Sequence, residues 1–181
     1  MYQGFTYIST FGVLLRSDYK AFHAVKGACE ATVGLAQEKG VHMKDMGYVE
    51  FDRRTNEQLK EILQNQPVSM SMYTTGMLGA YKSGIITEDF LHCSYPSNEV
   101  NHGVVMVGYG KVGPNDHVKG RCNEYWVIRN SWGPNWGEEG FLRVCADGAG
   151  SKKTPFGTCL VNKYSTWPTM NKSDIDLTQA P

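Results

Sequence analysis

Residues 125–141 read YWVIRNSWGPNWGEEGF, and this stretch is the most informative part of the sequence about the fold. Its first four residues are aromatic or β-branched, which predicts a strand. Its middle, 133–140, is rich in Gly, Pro and Asn and predicts a loop, after which 141–144 forms a second apolar run. The sequence therefore predicts two strands joined by a hairpin loop, with Asn130 following the first strand.

A second stretch lies upstream, where residues 101–110 read NHGVVMVGYG. The apolar run 104–107 predicts a short strand that ends at the glycine-containing segment 108–110. His102 stands at the beginning of this strand. A histidine at a strand end and an asparagine in a turn are each more often structural than catalytic, so the two stretches carry weight only together.

The amino-terminal third contains one clear helical pattern. Phe5, Ile8 and Phe11 are spaced by three residues and predict a helix that ends near Gly12. Residues 21–52 have weak periodicity, scattered glycines and mixed charges. We interpret them as a loop with short extended pieces.

Later segments are easier to interpret. Residues 55–63 combine a T-x-x-Q capping pattern with an apolar stripe and predict a helix, which Pro67 brings to an end. Apolar residues alternate with polar ones or tyrosine over 68–73, which predicts a strand. The polar segment 111–123 is interpreted as an insertion, and 170–181 as a disordered tail.

Composition excludes several classes of protein. A chain of 181 residues is one domain or two small ones. Its 18 basic and 18 acidic residues give no net charge, which argues against nucleic-acid binding. With 41% hydrophobic and 12% aromatic residues it is too apolar for a disordered chain, yet no apolar run approaches the roughly 20 residues that span a bilayer. We expect a soluble globular chain with neither nucleic acid nor membrane as partner.

Five cysteines leave two interpretations open. No C-x-x-C pair and no Cys/His cluster at zinc spacing occurs, so we expect no metal site. Residues 1–5 lack the basic and apolar pattern of a signal peptide. The thiols are then reduced core residues, or the chain comes from an oxidising compartment and one cysteine lacks its partner. The five are Cys29, Cys93, Cys122, Cys145 and Cys159.

Taken together, the two stretches resemble the histidine and asparagine motifs of the papain-like cysteine proteases, N-H-G-V-x-x-V-G-Y-G and Y-W-x-I-x-N-S-W-G-x-x-W-G-E-x-G-F. The similarity covers about residues 1–169 and is strong from 65 onward, including 65–69, 83–86, 156–159 and 167–168, and loose before that. The resemblance implies an incomplete α+β papain-like fold. Residues 1–66 would be a remnant of the helical lobe and the interlobe segment, and 67–169 a largely intact antiparallel β lobe.

The family mechanism implies thiol-dependent hydrolysis of peptide or protein substrates. A cysteine thiolate attacks the carbonyl carbon, a histidine keeps it ionised and protonates the leaving amine, and an asparagine orients the histidine. By resemblance His102 is that histidine and Asn130 that asparagine. Trp132, supported by Trp136, would shield their hydrogen bond from water. No cofactor is implied.

The nucleophile of this mechanism is missing. In the family it lies in C-G-[SA]-C-W, about 130–150 residues before the histidine and asparagine, and no such motif occurs here. Counting back from His102 by that distance leads to a position before Met1, and the oxyanion-hole glutamine is expected there too. Cys29, in K-G-A-C-E, lacks the following aromatic residue and resembles a structural disulfide cysteine. We therefore expect the chain alone to be inactive.

The resemblance also assigns disulfides and a specificity pocket. It pairs Cys93 with Cys159. Cys122 and Cys145 lie outside the family pattern, but they flank the predicted hairpin at nearly matched distances, and we hypothesise a bond between them. The pocket residues, by correspondence, are Met1, Ser71, Val100, Asn101 and Tyr164. Tyr164, at a position where relatives commonly carry small or acidic residues, predicts a preference for a smaller substrate side chain.

Three hypotheses remain open at this stage. The chain is part of an active endopeptidase whose signal, propeptide and cysteine lobe precede Met1, and whose compartment is lysosomal, vacuolar or secreted. Alternatively it is a non-catalytic homologue acting as a binding or structural module, or an unrelated β-rich domain. A lobe without its partner lobe would expose more than the few hundred Å² of apolar surface usual for monomers. We expect marginal stability, or a partner that covers that face.

Overall fold

The computed structural model describes residues 1–19, 23–28, 33–43, 45–50, 55–93, 99–118, 120–148 and 156–169. The chain divides into two compact units, Met1–Gly47 with Pro168–Pro181, and Tyr48–Trp167. Cys29 and the predicted tail 170–181 lie outside the described residues. The division into lobes at 66/67 stays a prediction.

The first unit contains the predicted amino-terminal helix, α1 (Tyr2–Phe11). It ends at Gly12, whose N–H donates to the Ile8 carbonyl at 2.9 Å and whose φ of +81° lies in the region that glycine tolerates best. The interpretation of 21–52 as loop is wrong for α2 (Val33–Lys39). Seven residues are too few to show a helical period, and α2 also contacts α1, which the sequence cannot show.

Strands are the main elements of residues 45–169. Among the described residues seven strands form one sheet, in the order β1-β7-β2-β4-β5-β6-β3. They are β1 (Asp45–Glu50), β2 (Val68–Met72), β3 (Ile85–Ile86), β4 (His102–Lys111), β5 (Glu124–Arg129), β6 (Phe141–Cys145) and β7 (Tyr164–Thr169). The pairs β2–β4, β2–β7, β4–β5 and β5–β6 are antiparallel, whereas β3 is parallel to β6. The sheet is therefore mixed rather than wholly antiparallel.

Helical segments lie beside these strands. They are α3 (Thr55–Leu63), α4 (Glu88–Leu91), and two 3₁₀ turns at Gly76–Ala80 and Thr158–Leu160. The alternation predicted in β2 is confirmed, because Val68, Met70 and Met72 are fully buried while Ser69 and Ser71 are half-buried. The buried face of β2 joins a core whose other members include Leu59, Met106, Trp126, Ile128, Leu142 and Val144.

The predicted end of one strand is wrong, and another strand was not predicted at all. The strand after His102 continues to Lys111, because its register shifts between Met106 and Gly108 and pairing then resumes. Glycine here marks a bulge and a close approach rather than a turn: a Cβ on Gly110 would lie 2.6 Å from the Tyr125 hydroxyl. No strand was predicted at β7, whose buried Ser165 and Thr166 hide the usual apolar alternation.

Candidate active site

Strand pairing brings the two motif residues together. His102 opens β4 and Asn130 directly follows β5, and the two strands run antiparallel with Val105 opposite Arg129. The beginning of one strand and the end of the other therefore lie at the same edge of the sheet. His102 Nε2 and Asn130 Oδ1 are 3.0 Å apart, a normal hydrogen-bond distance.

The surroundings of Asn130 decide which ring nitrogen carries the proton. Asn130 Oδ1 also accepts the backbone N–H of Ser131 at 2.8 Å, which fixes the orientation of the amide. Since this oxygen only accepts, Nε2 of His102 must donate, and the neutral ring keeps its lone pair on Nδ1. Asn130 is 8% exposed, and its N–H donates to the Gly140 carbonyl at 2.9 Å. His102 is thus oriented with a basic nitrogen available.

Two tryptophans extend from this pair. The Trp132 ring lies 5.2 Å from the His102 ring, measured between centroids, at an interplanar angle of 38°. Trp136 meets Trp132 edge-on, at 5.1 Å and 81°. Trp136 is buried, whereas Trp132 is 44% exposed. Trp132 therefore contacts the histidine while Trp136 supports Trp132 from the core.

The residues assigned to the specificity pocket lie in three parts of the structure. Ser71 lies opposite Gly103 on one neighbouring strand and opposite Tyr164 on the other. Directly paired residues project from the same face of a sheet, so the Ser71 and Tyr164 side chains are neighbours. Val100 and Asn101 come directly before β4. Met1 belongs to the first unit.

Asn101 is held by β2 and the residues that follow it. Its N–H donates to the Met72 carbonyl at 3.1 Å, and its side-chain amide exchanges two hydrogen bonds with the Thr74 backbone, at 2.8 and 2.9 Å. The amide of Asn101 is therefore engaged by Thr74, and the residue anchors the chain just before His102.

Four of the five cysteines form disulfides. Cys93 bonds to Cys159 with Cα atoms 5.5 Å apart, and Cys122 bonds to Cys145 at 5.8 Å. Glu88 lies beside the first bond and Asp147 beside the second, but cysteines in disulfides are not thiolate ligands for a metal. Cys29, the fifth cysteine, lies outside the described residues.

Sequence reasoning overlooked the residues behind Trp136. Tyr81 lies 5.5 Å from Trp136 between ring centroids, and its hydroxyl interacts with the Arg143 backbone N–H and with Glu138. One signal was present, since Glu138 falls inside the W-G-E-x-G-F motif. Tyr81 is distant from Glu138 along the chain, and Arg143 belongs to strand β6. Only the folded chain brings the three residues together.

The fold and the histidine–asparagine pair agree with the resemblance to papain-like cysteine proteases. A family model for the papain family cysteine proteases matches residues 1–169. The chain therefore belongs to the papain family of cysteine proteases, and its α+β fold is the papain-like fold. No helix in the described part of the chain is both long and apolar enough to cross a membrane.

Individual relatives agree with this assignment. Cysteine proteinase EP-B 1 of Hordeum vulgare is 32% identical over 95% of this chain and 42% of its own length. Procathepsin L of Mus musculus is 31% identical over 79% of this chain and 39% of its own. The crystal structure of the Carica candamarcensis cysteine protease CMS1MS2 matches with a TM-score of 0.66 and 30% identity, over 93% of this chain and 67% of that one. The chain spans about two fifths of the curated relatives it matches.

Proposed function

We propose that the protein to which this chain belongs hydrolyses peptide bonds by thiol catalysis, with His102 as general base and acid and Asn130 as the residue that orients it. The hydrogen bond between His102 Nε2 and Asn130 Oδ1 carries the proposal. In a chain of the papain family, it leaves Nδ1 of the imidazole as the nitrogen that exchanges protons with a thiol.

The proposed reaction has two halves. His102 Nδ1 takes the thiol proton, and the thiolate sulfur bonds to the substrate carbonyl carbon. As the carbon–nitrogen bond breaks, the imidazolium returns the proton to the leaving amine, which leaves a thioester. Water then adds to the thioester carbonyl, with His102 accepting its proton. The carbon–sulfur bond breaks, the carboxylic acid product is released, and His102 returns its proton to the sulfur, which restores the thiol.

We further propose that residues 1–181 do not perform this reaction alone. Cys93, Cys122, Cys145 and Cys159 are disulfide-bonded and offer no thiol. The surroundings of Cys29 lack the features of the family's nucleophile, and neither the C-G-[SA]-C-W motif nor its glutamine is present. A thiol supplied from outside these residues would complete the site. If the complete protein has no such thiol, it is the non-catalytic alternative, a papain-like homologue that acts as a binding or structural module.

Tyr164 supports a proposal about substrate preference. It pairs with Ser71 and is half-buried, and the ammonium of Lys163 lies 4.9 Å from its ring centroid. A tyrosine at this point occupies volume that a small residue would leave open. We expect a preference for smaller side chains at the corresponding substrate position, and Tyr164→Ala should shift cleavage towards larger ones.

The disulfides also support a location. Disulfide bonds persist in oxidising compartments, because cytosolic reductants keep thiols reduced. We therefore propose a lysosomal, vacuolar or secreted protein. Peptide mapping of the natural protein with and without reduction tests this proposal, and free thiols at all four positions would contradict it.

The test compares residues 1–181 with the complete natural polypeptide, whose amino terminus is first established by intact mass and terminal sequencing. We expect the complete protein to hydrolyse a fluorogenic peptide and to lose activity with iodoacetamide, while residues 1–181 remain inactive. His102→Ala should lower the activity by about 10²–10⁴-fold. His117→Ala, at an exposed histidine, is the matched control.

Two results would contradict these proposals. Hydrolysis that survives His102→Ala would remove His102 from the mechanism. An inactive complete protein that still binds peptides would favour the non-catalytic alternative.

A further inference from the structure

An ion pair largely removed from solvent joins the loop between β5 and β6 to strand β6. The Glu138 carboxylate accepts hydrogen bonds from Arg143 Nη2 at 2.9 Å and Nε at 3.0 Å, and the two side chains are only 24% and 21% exposed. The same carboxylate accepts the backbone N–H of Gly84 at 2.8 Å. A guanidinium bound by two of its nitrogens is a geometrically specific partner, so Glu138 is held in one position.

Arg143 is itself fixed from the other side. Its guanidinium pairs with Asp116 of the polar segment 111–123. The backbone N–H of Gly113, and then Arg143, lower the pKa of the Asp116 carboxyl, and Glu138 raises the pKa of Arg143. Asp116 and Arg143 therefore stay charged at neutral pH, and Arg143 joins the polar segment to the loop.

A buried tyrosine connects this ion pair to Trp136. Tyr81 is fully buried, its hydroxyl donates to the Gly84 carbonyl at 2.8 Å, and it accepts the Arg143 N–H at 3.2 Å. Its ring lies 5.5 Å from Trp136. Glu138 and Tyr81 thus share two partners, Gly84 and Arg143, directly behind the tryptophan.

The loop needs such an anchor because its backbone turns left-handed on both sides of Glu138 and is strained at Glu139. Gly137 has φ of +60°, and Glu139, a residue with a side chain, has φ of +54°. Conformations of this kind persist only where the surrounding structure holds them. Besides backbone hydrogen bonds within the loop, the side-chain hydrogen bonds and the ion pair of Glu138 hold this conformation.

Contacts lead from Glu138 to the proposed catalytic pair. Trp136, two residues before Glu138, meets Trp132 at 5.1 Å, and Trp132 covers His102 at 5.2 Å. We infer that Glu138, held by Arg143, is a positioning residue that keeps Trp132 over the His102–Asn130 hydrogen bond. The catalytic meaning of this role rests on the proposed function, whereas the geometry can be tested without any hydrolysis.

The test uses NMR of residues 1–181 and follows the ring protons and the Nε2–H of His102. Glu138→Gln removes the negative charge. Its amide oxygen still accepts from Gly84 and Arg143 Nη2 at the position of Oε1, but its NH₂ faces the Arg143 Nε–H at the position of Oε2, where an acceptor is needed. We expect the ring signals of His102 to shift as Trp132 moves. The Nε2–H proton should exchange with solvent at least about tenfold faster, because a hydrogen bond to the charged Glu138 carboxylate, which holds Trp132 in place, is lost. Glu139→Gln makes the same change at the adjacent, exposed residue and should leave His102 unaffected.

A second variant guards against a failure to fold. Glu138→Asp keeps the charge but is one methylene shorter, and we expect a smaller change in the same direction. A folded variant of either kind with unchanged His102 signals and exchange overturns the inference, as does an equal response to Glu139→Gln. An inactive complete protein would count against the proposed function alone, since these readouts do not depend on hydrolysis.

Discussion

At the scale of single residues, Asn130 satisfies two donors with one oxygen. The Ser131 N–H and His102 Nε2–H both point at Oδ1, so the amide cannot turn without leaving both unpaired. The residue is almost fully buried, where an unpaired donor is costly. Local backbone structure and the proposed chemistry therefore depend on the same atom.

Asn130→Ala should destabilise the chain by about 1–3 kcal/mol, because two donors lose their acceptor in a buried site. The His102 ring should also become free to turn. Urea unfolding followed by tryptophan fluorescence measures the first effect, and NMR of the histidine ring measures the second. Asn135→Ala, at an exposed asparagine of the same loop, should stay within about 0.5 kcal/mol of the wild type. Equal losses in both variants would contradict this prediction.

Tyr81 should make stability fall at high pH. Burial raises its pKa from 10.0 to about 12. Between these values the unfolded chain has lost a proton that the folded chain retains, so the free energy of unfolding falls as pH rises, by about 2–3 kcal/mol in all. Tyr81→Phe lacks this titration. The stability difference between wild type and Tyr81→Phe should therefore shrink between pH 10 and pH 12 in urea unfolding. A constant difference would show that Tyr81 does not titrate in this way.

At the scale of elements, the β5–β6 connection is a shaped loop rather than a flexible link. The Asn130 N–H reaches the Gly140 carbonyl, and the Gly140 N–H returns to the Trp136 carbonyl at 2.8 Å. These bonds close the loop, and three glycines together with Glu139 take the positive-φ positions at its bends. The loop carries Trp132 and Trp136, so its shape decides what covers His102.

Two glycines of this loop separate backbone strain from steric clash. Gly133 and Gly137 both have positive φ, but a Cβ on Gly133 meets nothing within 4 Å, whereas one on Gly137 would lie 2.6 Å from the Phe141 carbonyl and 3.1 Å from the Tyr81 ring. Gly133→Ala should cost about 1–2 kcal/mol from backbone strain alone. Gly137→Ala should cost more, since the loop must also move. Thermal unfolding of both variants provides the measurement, and equal costs would show that the loop yields freely.

At the scale of the whole molecule, two disulfides join segments that are far apart along the chain. Cys93–Cys159 spans 66 residues and lies in the core beside α4, and Cys122–Cys145 spans 23 and ties the end of the polar segment 111–123 to β6. A cross-link stabilises chiefly by restricting the unfolded chain, and more so for a longer loop.

Removing the longer cross-link should therefore cost more. Chain entropy predicts losses of about 4 kcal/mol for Cys93→Ala/Cys159→Ala and about 3 kcal/mol for Cys122→Ala/Cys145→Ala. Alanine avoids burying a new hydroxyl in the core. Urea unfolding of the two double variants under non-reducing conditions measures both losses. The reverse order would mean that contacts of the polar segment, rather than loop length, dominate.

The elements that could be predicted are those whose pattern is complete within a short window. Strand β2 alternates over five residues, and α3 carries an apolar stripe, so each shows its period without tertiary help. Strand β7 escaped prediction because Ser165 and Thr166 are polar and yet buried. Helix α2 escaped because it has seven residues and also contacts another helix.

The sequence alone predicts His102 and Asn130 as the catalytic pair and indicates the family, because both residues are embedded in long motifs with specific residues at specific spacing. The tertiary structure was needed to show that Nε2 is the protonated ring nitrogen of His102. The backbone N–H of Ser131 donates to Asn130 Oδ1 and thereby fixes which amide atom faces the ring. The tertiary structure alone brought Gly84, Tyr81 and Arg143 to Glu138. Residue types and their spacing can be read along the chain, whereas the partners of a half-buried charge such as Glu138 depend on how the strands pack around it.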